Sequence, residues 1–162
     1  MLCSSAARDL PDDYVVLIGG EGPLRKALAE AGHKAGLEDK VHLLGYLSNE
    51  DLPNYYGACN VFVMCSRWKT EAFGIVQIEA MSCGKPVVAT VIPQSGVSWV
   101  NRDGVSGLNV PIDNPQALAE AIVTICAHPE RYANYSAEAR KRFEELFTFS
   151  DMIDKTLAIY EN

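Results

Sequence analysis

The sequence predicts an α/β fold, a Rossmann-like parallel sheet with helices on both faces. Short apolar runs rich in β-branched residues alternate along the chain with longer segments of helical periodicity. Several of these runs are continuously apolar, which is typical of strands buried on both faces. Strands that alternate with helices form parallel sheets through right-handed crossovers, and ligands bind such sheets outside the carboxyl ends of the strands.

Five apolar runs are the predicted strands. They lie at residues 14–18, 40–44, 60–64, 87–90 and 107–110. The first two are followed directly by glycine-containing turns, as expected where a strand ends and the chain reverses toward a helix. The glycine-punctuated stretch 91–106 is predicted to be a long loop between the fourth and fifth strands.

The segments between and after the strands have helical periodicity. The predicted helices lie at residues 4–10, 24–36, 49–58, 73–81, 115–128, 132–146 and 150–160. Asn114 followed by Pro115 is a strong helix start, an N-cap with proline at the first helical position. Ser48 is the expected N-cap of the third helix, with Asp51 as its capping-box partner, and Ser150 is the expected cap of the last helix.

Composition places the chain among globular domains and excludes some partners. Its 162 residues are one domain's worth of chain, and 14 basic against 21 acidic residues give a net charge of −7. This charge argues against a nucleic-acid or anionic-membrane surface. The basic run 140–142 is expected to be a solvated helix face. The five cysteines lack C-x-x-C spacing, so we expect reduced, buried thiols and a cytoplasmic protein.

The turn 19–22, Gly-Gly-Glu-Gly, follows the first strand directly. Glycines permit positive φ and let backbone amides approach a ligand closely. The third glycine of the dinucleotide fingerprint is absent, which disfavours a nicotinamide-dependent oxidoreductase. A tight turn without any ligand is an equal alternative. In this architecture the turns at 19–22, 45–47 and 65–74 share one edge of the sheet, so they can converge on one crevice.

Two glutamates, Glu71 and Glu79, flank a Phe-Gly-Ile turn and the helix that follows it. If this helix begins near Phe73, the unpaired amides of its first turn form an anion site suited to a diphosphate. Carboxylates beside that site would accept hydrogen bonds from the hydroxyls of a sugar or a ribose. The spacing leaves two interpretations open: a nucleotide-sugar site, or a surface loop acid and a solvated helix acid.

An ordered series of segments adds a family resemblance. They are G-G-E-G-P-L-R at 19–25, V-H-L-L-G-Y-L-S at 41–48, L-P-N-Y-Y-G-A-C-N-V-F-V at 52–63, E-A-F-G-I-V-Q-I-E-A-M-S-C-G-K-P-V-V-A-T at 71–90 and D-G-V-S-G-L-N-V-P at 103–111. With them the chain resembles, over nearly its whole length, the donor-binding domain of retaining GT-B glycosyltransferases of group 1, or family 4. The stretch 94–99 and the lead-in 67–70 depart from the family pattern and receive no role.

The resemblance implies a role for each part of the 71–79 stretch. Glu71, as the catalytic acid of the motif, would contact hydroxyls of the donor hexose near the reacting face. Glu79 would hold the ribose hydroxyls. Backbone amides for the sugar and the diphosphate would come from four consecutive residues: Ala72, Phe73, Gly74 and Ile75.

The resemblance also implies the rest of the donor site and the reaction. Tyr46 and Leu47 match the segment whose backbone reads the base, and Gly20 and Gly22 line the phosphate side. The implied donor is a UDP-, GDP- or ADP-sugar, whose hexose passes to a glycan, lipid or polysaccharide acceptor with retention of anomeric configuration. No metal or other cofactor is implied.

Family members also have an N-terminal acceptor-binding domain, and their donor domain opens with a central strand and an Arg…Lys pair. We expect the chain, residues 1–162, to be a single donor-binding domain and a fragment of a larger two-domain enzyme. Its sheet should then show a gap or a rearrangement, and the chain alone should transfer no sugar. Any membrane contact would belong to the absent domain. The alternative is a non-catalytic nucleotide-binding or interaction module that works with a separate partner chain.

Overall fold

The structure is a computed structural model and describes residues 2–160. The strands in this range are β1 (Val16–Gly19), β2 (Val41–Gly45), β3 (Phe62–Met64), β4 (Val87–Val91) and β5 (Gly107–Pro111). The helices are α1 (Leu2–Ala6), α2 (Arg25–Lys34), α3 (Leu52–Ala58), α4 (Ile75–Ser82), α5 (Val97–Val100), α6 (Pro115–Cys126), α7 (Pro129–Leu146) and α8 (Phe149–Tyr160).

All strand pairs are parallel, which confirms the predicted α/β fold class. β1 pairs with β2, while β3, β4 and β5 form a second sheet in that order. Across residues 2–160 no strand ladder joins the two sheets, so the sheet is interrupted, as expected. We call β1, α2 and β2 the N-terminal region and the part from β3 to α7 the C-terminal region.

The core lies on both faces of β4. Val88 joins a cluster on one face with residues of α1 and α6. Val87 and Ala89 join a cluster on the other face with residues of α4, α5 and α7. All three side chains have zero exposure, because β4 has a strand on each side and helices above and below. The continuous apolar run that predicted this strand is explained by that double burial.

The predicted loop 91–106 contains a short helix, α5, that the sequence did not predict. Val97 and Val100, one turn apart, are fully buried against the core beneath β4. Local propensity favoured a loop because two glycines, three serines and a proline interrupt the stretch. The burial of two valines, which is a tertiary effect, stabilises the helix instead.

Two of the three predicted helix caps differ in detail. Asn114 caps α6 as predicted, its Oδ1 accepting a hydrogen bond from the Ala117 amide at 3.0 Å. The Ser48 hydroxyl donates to Asp51 at 2.6 Å, but the helix begins only at Leu52, so this pair closes the preceding turn. The prediction for Ser150 is wrong, since Thr148 Oγ1 accepts from the Asp151 amide at 3.2 Å.

The basic run 140–142 is solvated at Arg140 and Lys141, as predicted, whereas Arg142 packs against α5. Arg142 donates through Nε to the Val100 carbonyl at 2.8 Å and through Nη2 to the Trp99 carbonyl. Its guanidinium also lies 5.5 Å from the centre of the Trp99 ring, and burial lowers its pKa. Arg140 donates to the Ser82 carbonyl at the end of α4. The two arginines therefore fasten α7 to α4 and α5, while the side chains of Arg140 and Lys141 remain more than half exposed.

Candidate functional site

The segment after β3 forms an open cavity at the carboxyl edge of the second sheet. The cavity has a volume of about 320 Å³ and is lined by Cys65, Ser66, Arg67, Trp68, Thr70 and Glu71. Thr90 of β4 donates through Oγ1 to the Ser66 carbonyl at 2.5 Å, which holds the start of this segment against the sheet. The predicted acid Glu71 is thus half-buried in a crevice rather than on an open surface loop.

The backbone around Glu71 is anchored from a distant part of the chain. Ser95 donates through Oγ to the Glu71 carbonyl at 2.5 Å, and the Gly96 amide donates to the Ala72 carbonyl at 2.7 Å. A Cβ at Gly96 would lie 3.0 Å from that same carbonyl oxygen, so a larger residue would push the two segments apart by a few tenths of an ångström. The residues that position Glu71 therefore lie in the 91–106 stretch, to which the sequence assigned no role.

Gly74 makes the sharp turn between Glu71 and α4. Its φ of +74° lies in the left-handed region that favours glycine. A Cβ there would lie 2.6 Å from Met64 Sδ and 2.7 Å from Gln77 Nε2. Gln77 is fully buried and donates through Nε2 to the Phe73 carbonyl at 3.2 Å. Sterics and this hydrogen bond together fix the direction in which α4 leaves the turn.

The helix begins at Ile75, one or two residues later than predicted, with Gly74 as its N-cap. No side chain caps this end, and within residues 2–160 the amides of Ile75 and Val76 have no protein acceptor. The side chains of both residues are exposed, at 66% and 40%. Free amides at the positive end of a helix dipole attract anions, and the anion site at this turn stays a prediction.

Glu79 lies inside α4 and is not a solvated helix acid. The Tyr56 hydroxyl of α3 donates to Glu79 Oε2 at 2.7 Å. Tyr56 is 8% exposed, and burial together with this hydrogen bond raises its pKa, so the hydroxyl stays protonated and keeps donating. Oε1 of Glu79 remains for another donor. Tyr56 is a site residue that sequence reasoning missed, although a buried tyrosine hydroxyl always needs a partner.

Of the three turns that were predicted to converge, the structure brings the first two into contact. The Gly20 amide donates to the Gly45 carbonyl at 2.7 Å, and a Cβ at Gly19 would meet Leu47 at 2.7 Å. Gly20 has a φ of +124° and Gly22 has open space around it, which leaves this backbone accessible. Tyr46 is 76% exposed beside them. Across the described residues, no hydrogen bond or ion pair connects these two turns with the 71–79 stretch.

Two arginines, one in the wall of the cavity and one beside the Gly45 turn, are paired with acids. Arg67 Nη2 lies 2.8 Å from Asp113 Oδ2, and Arg25 Nη1 lies 2.7 Å from Glu21 Oε1. All four side chains are roughly half exposed, so each pair contributes little to stability. Either arginine can therefore exchange its carboxylate for a phosphate at small cost.

A family model described as glycosyl transferases group 1 matches residues 2–142. The chain belongs to this family. Among similar glycosyltransferases, O-antigen chain mannosyltransferase C of Escherichia coli is 35% identical over 146 residues, which are 90% of this chain and 38% of that protein. D-rhamnosyltransferase WbpZ of Pseudomonas aeruginosa is 35% identical over 136 residues, 84% of this chain and 35% of that protein. The glycosyltransferase chain thus spans little more than a third of these relatives.

Solved structures support the same fold. The Anabaena protein HepE in complex with UDP and glucose is 27% identical, with a TM-score of 0.84 over 97% of this glycosyltransferase chain and 44% of HepE. Sucrose-phosphate synthase from Thermosynechococcus elongatus is 26% identical, with a TM-score of 0.78 over 99% of this chain and 48% of that one. Both matches agree with the parallel α/β arrangement of GT-B glycosyltransferases.

Proposed function

We propose that the chain is the donor-binding half of a retaining glycosyltransferase, of family 4 within group 1, which moves a hexose from a nucleotide diphosphate sugar to a glycan, lipid or polysaccharide acceptor. One observation carries this proposal: Glu71 and Glu79, each fixed by distant contacts, flank a helix N-terminus with free, exposed amides. The UDP and glucose in the HepE complex make a nucleotide sugar the natural ligand for this arrangement.

The diphosphate binds the amides of Ile75 and Val76, where the helix dipole favours negative charge. Glu79 accepts hydrogen bonds from the ribose through Oε1, because Oε2 already accepts from Tyr56. Glu71 lies before the turn, on the other side of the phosphates, and accepts from hydroxyls of the hexose. Each acid therefore addresses hydroxyls, and neither has to share a position with phosphate.

The base and one phosphate of the donor face the glycine turns at 19–22 and 45–47. The backbone at Tyr46 and Leu47 reads the base, while Gly20 and Gly22 let amides approach the phosphate side. Exposure of Tyr46 and the open space at Gly22 support this placement. Within residues 2–160 no hydrogen bond or ion pair joins these turns to the 71–79 stretch, and a bound donor would bridge them.

The transfer step needs an acceptor, which the N-terminal half of the enzyme binds. The bond between the hexose C1 and the diphosphate oxygen breaks through an oxocarbenium-like transition state. The acceptor oxygen bonds to C1 from the same face and its proton passes to the departing phosphate, so configuration is retained. The Ile75 and Val76 amides stabilise the charge that develops on the departing diphosphate. The proposed reaction uses no metal. The isolated chain binds the donor without transferring its sugar.

A titration of the chain with UDP, GDP and ADP tests the site. One nucleotide should bind, and saturation at ~100 times its dissociation constant should add roughly 2.7 kcal/mol to the free energy of unfolding. EDTA should leave its affinity unchanged. Loss of a charged hydrogen bond in Glu79→Ala should weaken binding by roughly tenfold or more. Glu120→Ala, an exposed acid of α6, is the matched control.

Glu71→Gln separates the two acids. Its affinity for the nucleotide without a sugar should stay within about twofold of the wild-type value. Its affinity for the corresponding nucleotide hexose should fall by roughly tenfold. If none of UDP, GDP and ADP binds, or if Glu79→Ala and Glu120→Ala change the nucleotide affinity equally, this is not the donor site.

A second candidate is an interaction module that binds nucleotide for a separate partner chain. The apolar side chains that α8 leaves exposed favour a partner of some kind: Phe149, Met152, Leu157, Ile159 and Tyr160, all at least 53% exposed. Adding a separately expressed acceptor half of a relative distinguishes the candidates. Recovered sugar transfer supports the glycosyltransferase half, whereas binding without transfer supports the module.

A further inference from the structure

Two of the five cysteines meet in space although they lie 62 residues apart. Cys3 of α1 and Cys65, the first residue after β3, have their Sγ atoms 2.8 Å apart. Both thiols are free and both residues are only partly buried, so a small reagent can reach them. Cys65 lines the candidate cavity, but neither thiol is among the groups proposed to contact the donor.

The fold holds this pair in place. Leu2, Ala6 and Leu10 are buried in the core shared with α6, which fixes α1 on both sides of Cys3. Cys65 directly follows Met64, which is 5% exposed in β3. The two sulfur atoms therefore meet because packed elements carry them, and closing a bond between them requires little backbone movement.

The contact also activates one thiol. The two thiols share one hydrogen bond in which either sulfur can be the donor, and donation from Cys3 lowers the pKa of Cys65 to about 7. The same bond and burial raise the pKa of Cys3, which keeps its proton. Burial raises the pKa values of Cys59 and Cys126. Since the thiolate is the reactive form, Cys65 should react with oxidants ahead of these two cysteines.

We propose that Cys3 and Cys65 form a redox-active pair that closes to an intramolecular disulfide in the presence of a hydroperoxide. Cys65 attacks the peroxide oxygen, which gives Cys65 sulfenic acid and one molecule of water when hydrogen peroxide is the oxidant. Cys3 then attacks the sulfenic sulfur and displaces a second water. Two thiols are oxidised by two electrons, and the peroxide is reduced to two waters.

The disulfide would join α1 to the segment that lines the candidate cavity. Cys65 and Glu71 lie in the wall of the same 320 Å³ cavity. Oxidation therefore stiffens the start of the donor segment, and this consequence alone rests on the proposed function. Formation of the bond itself depends only on the two thiols, so its test is independent of nucleotide binding.

Peptide mapping after hydrogen peroxide treatment tests the bond. The chain is oxidised, its remaining thiols are alkylated, and it is digested with trypsin for mass spectrometry. We expect peptide 1–8 linked to peptide 41–67, which contains both Cys59 and Cys65. Cys59→Ser should keep the link and Cys65→Ser should abolish it, so the two variants identify the partner. Cys126→Ser is a further control that should keep it.

Two more readouts follow from the same pair. In Cys3→Ala, Cys65 sulfenic acid should accumulate and be trapped by dimedone, because no thiol resolves it. In the wild type, the alkylation rate of Cys65 should rise roughly tenfold between pH 6 and pH 8, and Cys3→Ala should slow it at pH 7. Closing the long loop should raise Tm by roughly 5 °C, reversibly with dithiothreitol.

The proposal fails if peroxide leaves peptides 1–8 and 41–67 unlinked in the wild type. It also fails if the link survives in Cys65→Ser, since Cys59 would then be the partner. Equal dimedone labelling of Cys65 and Cys126 in Cys3→Ala would show that the contact confers no selective reactivity.

Discussion

The two regions of the sheet contain similar strand sequences but bury them very differently. In the C-terminal region, Val87, Val88, Ala89 and Thr90 of β4 all have zero exposure. In the N-terminal region, Val15 is 58% and Leu17 is 48% exposed, and α2 has no buried residue. Both runs are continuously apolar in the sequence. The difference shows that an apolar run indicates a strand, while its neighbours decide how deeply it is buried.

The N-terminal region is held mainly at its turns. β1 has only β2 as a ladder partner, and the two strands meet again where the Gly20 amide donates to the Gly45 carbonyl. The C-terminal region has a strand or a helix against every face of β4. We therefore expect substitutions to cost much more stability in the C-terminal region, and substitutions at matched positions can test this.

The largest effect should come from Gly107→Ala in β5. A Cβ at this position would lie 1.8 Å from the Val87 carbonyl oxygen, so β5 cannot stay paired with β4. We expect a loss of at least about 4 kcal/mol in the free energy of unfolding, measured by urea titration. Gly32→Ala in α2 meets nothing within 4 Å and should stabilise by about 0.5–1 kcal/mol. If Gly107→Ala unfolds at the same urea concentration as the wild type, the close approach of β5 to the Val87 carbonyl is contradicted.

Asn101→Ala should be the next most destabilising change. The buried Asn101 amide donates to the Val87 and Leu108 carbonyls at 3.1 Å, and its Oδ1 accepts from Ser106 at 3.0 Å. Removing it leaves several buried polar groups unpaired, which should cost roughly 3 kcal/mol. Asn54→Ala, on the exposed side of α3, should change stability by less than about 0.5 kcal/mol in the same assay.

A matched pair of valine truncations compares the two regions directly. Val88→Ala removes fully buried methyl groups from β4 and should cost about 2–3 kcal/mol. Val15→Ala, just before β1, removes groups that are 58% exposed and should cost less than about 1 kcal/mol. If Val88→Ala and Val15→Ala lower the free energy of unfolding equally, the exposure of Val15 in the structure is wrong, and Val15 is buried by a further contact in solution.

The smallest effect is expected at the candidate site, where Tyr56 of α3 contacts Glu79 of α4. Tyr56→Phe removes the hydroxyl that donates to Glu79, a loss of about 1 kcal/mol that should weaken nucleotide binding roughly fivefold. Isothermal titration calorimetry measures it, with Tyr55→Phe as the neighbouring control on an exposed tyrosine. Equal affinities for the two variants would mean that Tyr56 does not orient Glu79 for the ribose.

Much of the fold followed from local chemistry. β-Branched runs predicted all five strands within a few residues, and Asn114 with Pro115 predicted the start of α6, because these signals act over a few neighbouring residues. The cap at Ser150 was wrong because the helix already begins at Phe149, which places Thr148 at the N-cap position. α5 was missed because its stability comes from the burial of Val97 and Val100.

The candidate site divides in the same way. The spacing of Glu71 and Glu79 around Gly74 identified the stretch, since a helix N-terminus and its flanking acids are local features. Ser95 is 24 residues from Glu71 and Tyr56 is 23 residues from Glu79, so no local pattern could reveal these partners. The same holds for Arg142, whose contacts with α5 cross 42 residues.

By itself, the sequence determined that this is a parallel α/β chain with a glycosyltransferase group 1 motif series and two acids around a helix start. Only the tertiary structure decided which strands are buried, which residues hold the two acids, and that Cys3 lies against Cys65. The reason is physical: propensity and capping depend on adjacent residues, whereas burial, hydrogen-bond partners and thiol contacts depend on elements that meet only when the chain folds.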